Sequence, residues 1–325
     1  MSILKFNLKY FQCLKINMTI VIFSKKTYNM IKIIFFISKI ILIYKKNKMI
    51  NKILIATDFS KNATHARNYG LNLANTLKAD VVIFNAYEIP NSLMGTHTFR
   101  NYKDVFKKNS VNRLGEEIIE SKGLFKNINI SCEYVCDVSE NAILERCKNS
   151  DIGLVVLGSK GGSKILKKLF GGTCTGIINK TKTPLIIVPL SSKIKIPKNI
   201  ILATGFYINK TLFITLKELA TRFFSKIDII TVLSNKENEK SILTKQLEIN
   251  SILKSEIKST LHVFHIINND SIENGILEYI ENNNVDLLTV IPKHKNFWEN
   301  LIKTSISKKL VNSSIIPLLI LPEKN

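Results

Sequence analysis

The chain repeats itself, and that repeat limits its fold more than any other feature. "NKILIATDFSKN" at residues 51–62 returns as "KNIILATGFYIN" at 198–209, an offset of 147 residues. "SENAILERCKN" (139–149) is echoed by "IENGILEYIEN" (272–282), and "TPLIIVP" (183–189) by "IPLLILP" (316–322). Segments recurring in the same order across 325 residues describe one unit duplicated in tandem, and the length allows each copy its own core. The expected boundaries are 49–190 for a first domain, 191–198 for a linker and 199–325 for a second domain.

Within the first copy, "KILIAT", "ADVVIFNAY", "NINISCEYVC", "IGLVVL" and "PLIIVP" read as strands. Between them, Ala63, Ala66, Gly70, Leu73 and Leu77 form a helical stripe with Ser60 or Asn62 as its cap. Further helices are predicted over Val111–Lys122, Ser139–Lys148 and Thr175–Lys180. Residues 90–109 show no clean periodicity and read equally as a loop or a helix. Alternating strands and helices, with continuously apolar strands, predict an α/β fold: a parallel sheet covered on both faces.

Such sheets bind ligands beyond the carboxyl ends of their strands, where the strand order reverses, commonly between the first and fourth strands. Thr57-Asp58 and Gly158-Ser159 stand at those two ends. "GSKGGSKILKKLFGGT" (158–173) then carries five glycines in sixteen residues. Glycine allows close backbone approach, and a helix starting after Gly171-Gly172 would aim free N–H groups at an anion. A P-loop is excluded because Ser159 stands where its lysine belongs, and a GxGxxG dinucleotide fingerprint is absent after the first strand.

Read as Gly158-x2-Gly161-x9-Gly171, the loop resembles the nucleotide motif G-x2-G-x9-G-[ST] of the universal stress protein family. "KILIATDFS" resembles that family's opening strand and "PLIIVP" its closing strand, and the resemblance covers residues 50–322 as a tandem. It implies two doubly wound domains, each a five-stranded parallel sheet of order 3-2-1-4-5 with helices on both faces. It also implies a stress-response binding protein, in a family some of whose members bind ATP, alone or with magnesium, or another adenine nucleotide. The two copies would pack through their closing strands as an internal pseudo-dimer, open to further homo-oligomerisation. Carried over by position, Asp58, next to Thr57, would meet ribose or a bound metal, and the backbone at Ala86 would meet adenine. Gly158, Ser159 and Gly161 would line the sugar and phosphates, and Gly171 would open the phosphate-facing turn. The chain departs from the pattern at Gly172, which replaces a hydroxyl residue; Thr173 and Thr175 are the candidate substitutes. The second copy departs further: Gly205 stands for Asp58, Pro292 for Gly158 and "PKHKN" for "GSKGG", so its site is expected to be lost, with Ser305 a remnant.

Asp58 is the motif's lone carboxylate, and phosphoryl transfer needs more positioned metal ligands than that. A binding protein rather than an enzyme is expected, with a nucleotide-free adaptor as the alternative. The formal charge of +22 does not argue for nucleic acid: residues 1–48 hold ten lysines and no acid, leaving 37 basic against 25 acidic residues, or +12, over 49–325. Those lysines are scattered and not interleaved with aromatics. Residues 1–48 contain no Ala, Gly, Pro, Asp, Glu or Arg, and lysines break their apolar run, so neither a membrane span nor a cleavable signal is expected there. The expectation is a leader outside the fold, with Met49 as the start of the folded chain. Cys13, Cys132, Cys136, Cys147 and Cys174 form no CxxC pair and read as small buried hydrophobes of a reducing, cytoplasmic protein. His262 and His265 fall on opposite faces of one strand, which rules out joint chelation.

Overall fold

The computed structural model describes residues 50–89, 99–159, 172–204, 210–233, 262–291 and 316–322, with positions 244 and 247. Met49–Asn325 form one compact unit, separate from Met1–Lys48. In chain order the first half runs β1 (Lys52–Ala56), α1 (Lys61–Leu77), β2 (Asp80–Tyr87), α2 (Phe99–Leu124), β3 (Ile130–Cys136), α3 (Ser139–Lys148), β4 (Leu154–Gly158), α4 (Gly172–Lys180) and β5 (Leu185–Val188). The second half runs β6 (Asn199–Ala203), α5 (Lys210–Phe223), β7 (Lys226–Leu233), β8 (His262–Asn268), α6 (Ile272–Asn282), β9 (Leu287–Val290) and β10 (Leu318–Ile320).

The ten strands among the described residues belong to one sheet, ordered β3-β2-β1-β4-β5-β10-β9-β6-β7-β8. The first five give the order 3-2-1-4-5 expected from the sequence, and the last five repeat it in mirror sequence. Every neighbouring pair is parallel except β5 with β10, where Leu185 faces Ile320 and Ile187 faces Leu318 across an antiparallel seam.

Because side chains alternate along a strand, each strand feeds two cores. Ile53 and Ile55 of β1 join the cluster under α1, α2 and α5, while Leu54 joins the cluster under α3, α4 and α6. That two-sided covering explains why β4, β5, β9 and β10 are buried on both faces. α1 begins where Ser60 accepts a hydrogen bond from the Ala63 N–H, so Ser60 rather than Asn62 is the cap.

Three expectations need correction. α2 begins at Phe99, far before Val111, so the part of the aperiodic stretch from Phe99 onward is helix; residues 90–98 lie outside the described ones. α4 begins at Gly172 rather than Thr175. Cys132 and Cys136 are exposed rather than buried, on one face of the edge strand β3, which is exposed over most of its length among the described residues; Cys174 is buried, as expected, and Cys147 half-buried.

Candidate functional site

Past Ala56 the Thr57 N–H donates to the Phe84 carbonyl of β2 (2.9 Å), whereas past Gly158 the Ser159 N–H donates to the Val188 carbonyl of β5 (3.0 Å). These bonds continue the β1–β2 and β4–β5 ladders past Ile55 and Val156, the last residues that β1 and β4 pair with each other, at the point where the strand order 3-2-1-4-5 reverses. Such a switch point is where a doubly wound sheet offers a crevice to a ligand.

Thr57 is buried, and each of its polar groups is engaged. Its carbonyl accepts from Asn85 Nδ2 (2.8 Å), and Asn85 Oδ1 accepts from Ser110 Oγ (2.6 Å). Its hydroxyl donates to Glu117 Oε1 (3.2 Å) and accepts from the Phe59 N–H (3.0 Å). Glu117 lies 3.6 Å from Arg67, whose side chain is 1% exposed and reaches Glu120 at 2.7 Å. Burial, only partly offset by Arg67 and the Thr57 hydroxyl, raises the Glu117 pKa above the usual carboxylate value.

Asp58 is exposed at the mouth of the crevice, where its carboxylate accepts from the Ser60 N–H (3.0 Å). Ala86 is half-buried near the end of β2, and Ser159 is buried at the end of β4. Gly158 has a local reason to be glycine: a Cβ there would stand 2.9 Å from the Asn62 carbonyl oxygen and 3.0 Å from its carbon, in the backbone entering α1. On α4, Thr173 is half-buried and the Cys174 thiol donates to the Gly158 carbonyl (3.2 Å). Burial pushes the Cys174 thiol up to about 12, and the Asp58 carboxylate adds to the shift. The structure thus brings together Thr57, Asp58, Gly158, Ser159 and the first turn of α4 containing Gly172 and Thr173. Gly161 and Gly171 lie outside the described residues, as do Gly205, Pro292, Lys295 and Ser305 of the second copy.

The sequence reading missed Asn85, Ser110, Arg113 and Glu117. Arg113 donates to the Phe59 carbonyl (3.2 Å) and lies 4.4 Å over its ring. The available signal was polar side chains at 110, 113 and 117, which share one helical face. At the opposite, amino ends of β4 and β5 an open cleft of about 860 Å3 is lined by Cys147, Lys148, Lys180 and Thr183, among others. Burial pushes the Cys147 thiol up to about 11, which leaves it unreactive near neutral pH. Among the described residues no group of three or more His, Cys, Asp or Glu is placed to hold a metal. No helix among them is long and apolar enough to cross a membrane.

The profile of the universal stress protein family matches residues 49–189. Residues 49–189 are a domain of that family. The universal stress protein MJ0577 of Methanocaldococcus jannaschii is 25% identical over 158 residues, covering 43% of this chain and 95% of that protein. The universal stress protein YxiE of Bacillus subtilis is 26% identical over 148 residues, covering 43% of this chain and 99% of its own length. Among solved structures, a universal stress protein from Archaeoglobus fulgidus matches with a TM-score of 0.62 at 16% identity, over 84% of this chain and 98% of that one. At that identity the likeness is one of fold, and it extends through both halves of the ten-stranded sheet.

Proposed function

We propose that the first universal stress protein domain binds an adenine nucleotide, ATP with magnesium, and acts as a regulatory binding protein rather than an enzyme. One observation carries this reading: the Cys174 thiol at the start of α4 bonds to Gly158 and feels the Asp58 carboxylate. The ends of β1 and β4 and the head of α4 therefore meet at one point. Gly161 and Gly171 belong to the segment joining Ser159 to Gly172, both of which border that point. Asp58 would hold ribose or the metal, the backbone at Ala86 the adenine, and Gly161, Gly171, Gly172 and Thr173 the phosphates through N–H groups at a helix start.

In this reading residues 49–190 carry the nucleotide and 191–198 link to a degenerate copy, 199–325, which completes an internal pseudo-dimer. The antiparallel β5–β10 seam supports that arrangement. A nucleotide-free adaptor is favoured by a different observation: Gly158 and the Thr57 hydroxyl are already committed to contacts within the protein. Calorimetric titration of the purified chain with ATP and magnesium separates the two. One site per chain, weakened by Asp58→Ala, is expected. The loss of a charge-assisted contact of about 1.5–3 kcal/mol corresponds to roughly ten- to a hundredfold in affinity. No heat at millimolar ATP would replace the nucleotide reading with the adaptor.

A further inference from the structure

We infer that one polar face of α2, made of Ser110, Arg113 and Glu117, clamps the loop that presents Asp58, with Glu117 as its positioning residue. The three side chains recur at helical spacing, so a single helix face meets the loop three times. Ser110 acts through Asn85 on the Thr57 carbonyl, Glu117 accepts from the Thr57 hydroxyl, and Arg113 covers Phe59 and binds its carbonyl.

The loop needs such a clamp. Phe59 sits at φ 63°, a left-handed conformation unfavourable for a bulky side chain and retained only where its surroundings impose it. The Thr57 hydroxyl gives its proton to Glu117, which leaves its lone pair directed to the Phe59 N–H, so the carboxylate orients the hydroxyl that holds the strained residue. Glu117 is buried and held by Arg67 from α1, with Glu120 and Arg113 as the other charges facing it. Its second carboxylate oxygen is buried and accepts no hydrogen bond among the described residues. Asp58 lies between the two clamped residues Thr57 and Phe59. Its direction is therefore set by a helix some sixty residues along the chain, since Thr57 and Glu117 are 60 positions apart. Movement of α2 would reach the ligand through this contact.

The value of the clamp for binding rests on the nucleotide reading, but its existence does not, and the experiment treats them separately. Amide hydrogen exchange of Phe59 is measured in the full chain without nucleotide, relative to amides of β4, for wild type, Glu117→Ala and Glu117→Gln. In Glu117→Ala, exchange at Phe59 is expected to rise about tenfold, the scale of one lost internal hydrogen bond. Glu117→Gln retains an acceptor oxygen and is expected to restore most of the protection. Unchanged exchange in Glu117→Ala, or equal loss in both variants, would overturn the clamp. Should Glu117→Ala fail to fold, Arg113→Ala, whose side chain is exposed, carries the same test: faster Phe59 exchange supports the clamp and unchanged exchange refutes it. ATP titration of the same proteins adds the functional arm. Weaker binding that follows the loss of protection extends the clamp to the site. Absence of ATP binding in wild type refutes the nucleotide reading and leaves the exchange result to judge the clamp.

Discussion

Replacing Gly158 with alanine adds one methyl group against backbone that has little room to yield. The new Cβ would lie 2.9 Å from the Asn62 carbonyl oxygen, 3.0 Å from its carbon and 3.3 Å from the Ala63 nitrogen. That backbone is fixed by the cap of α1, where Ala63 N–H donates to Ser60 Oγ (3.2 Å) and Thr64 N–H to the Ser60 carbonyl (2.9 Å). Relief of the overlap requires a shift of the helix start, so the overpacking cost of about 1–3 kcal/mol should fall at its upper end, with part of a cap worth about 1 kcal/mol put at risk. Gly70→Ala is the control. Its Cβ would also stand 2.8 Å from a neighbour, but that neighbour is the terminal methyl of Ile55, which can turn away. The gain of about 1 kcal/mol from alanine in a helix interior offsets the disturbance. Urea denaturation should place Gly158→Ala roughly 2 kcal/mol below Gly70→Ala with an unchanged slope. Equal midpoints for the two variants would refute the argument that β4 approaches α1 closely enough to require glycine.

Arg67→Met leaves Glu117 buried beside Thr57 without its cation and should cost about 3–5 kcal/mol. The folded-state pKa of Glu117 already lies above its ordinary value, so the native state holds that proton more tightly than the unfolded chain. Its contribution therefore weakens as pH rises through the carboxylate range, and the loss in Arg67→Met should be larger at pH 8 than at pH 5 by urea denaturation. Asp286 is buried. Burial works to raise its pKa, but Lys195 and the backbone N–H groups of Asn199 and Lys198 outweigh it and lower the value. The stability it supplies is present above the unfolded pKa of about 3.9 and lost as pH falls, so the deficit of Asp286→Asn at pH 7 should shrink below about pH 4. Residues 49–190 expressed alone should form dimers or precipitate in light-scattering measurements, since Leu185–Val188 would lose the strand that pairs with them. A stable monomer would show that the seam is dispensable.

The strands were legible because each is a continuous apolar run, the pattern of a sheet covered on both faces. The switch point between β1 and β4 was legible through the polar residues Thr57, Asp58 and Ser159 that follow such runs. α2 was legible over Val111–Lys122 but not in its extension back to Phe99, where polar residues such as Ser110, satisfied by Asn85 rather than by an apolar core, hide the helical period. Cys132 and Cys136 were misread because alternation along a strand shows which residues share a face but not whether anything covers it. Gly158 was read as making room for a ligand; the structure gives it a further, local reason, the close approach of the entry to α1, which no sequence pattern announces.

The antiparallel seam between β5 and β10 joins strands of the same polypeptide. Two separate chains meeting through such an edge would part on dilution, whereas tethered partners keep a fixed effective concentration whatever the amount of protein. Tethering also removes a symmetry constraint. In an association of identical chains, any substitution appears on both sides of the contact and in both crevices at once. Here a substitution in one half leaves the other unaltered, so the two halves are free to diverge while β10 continues to close the edge of the first.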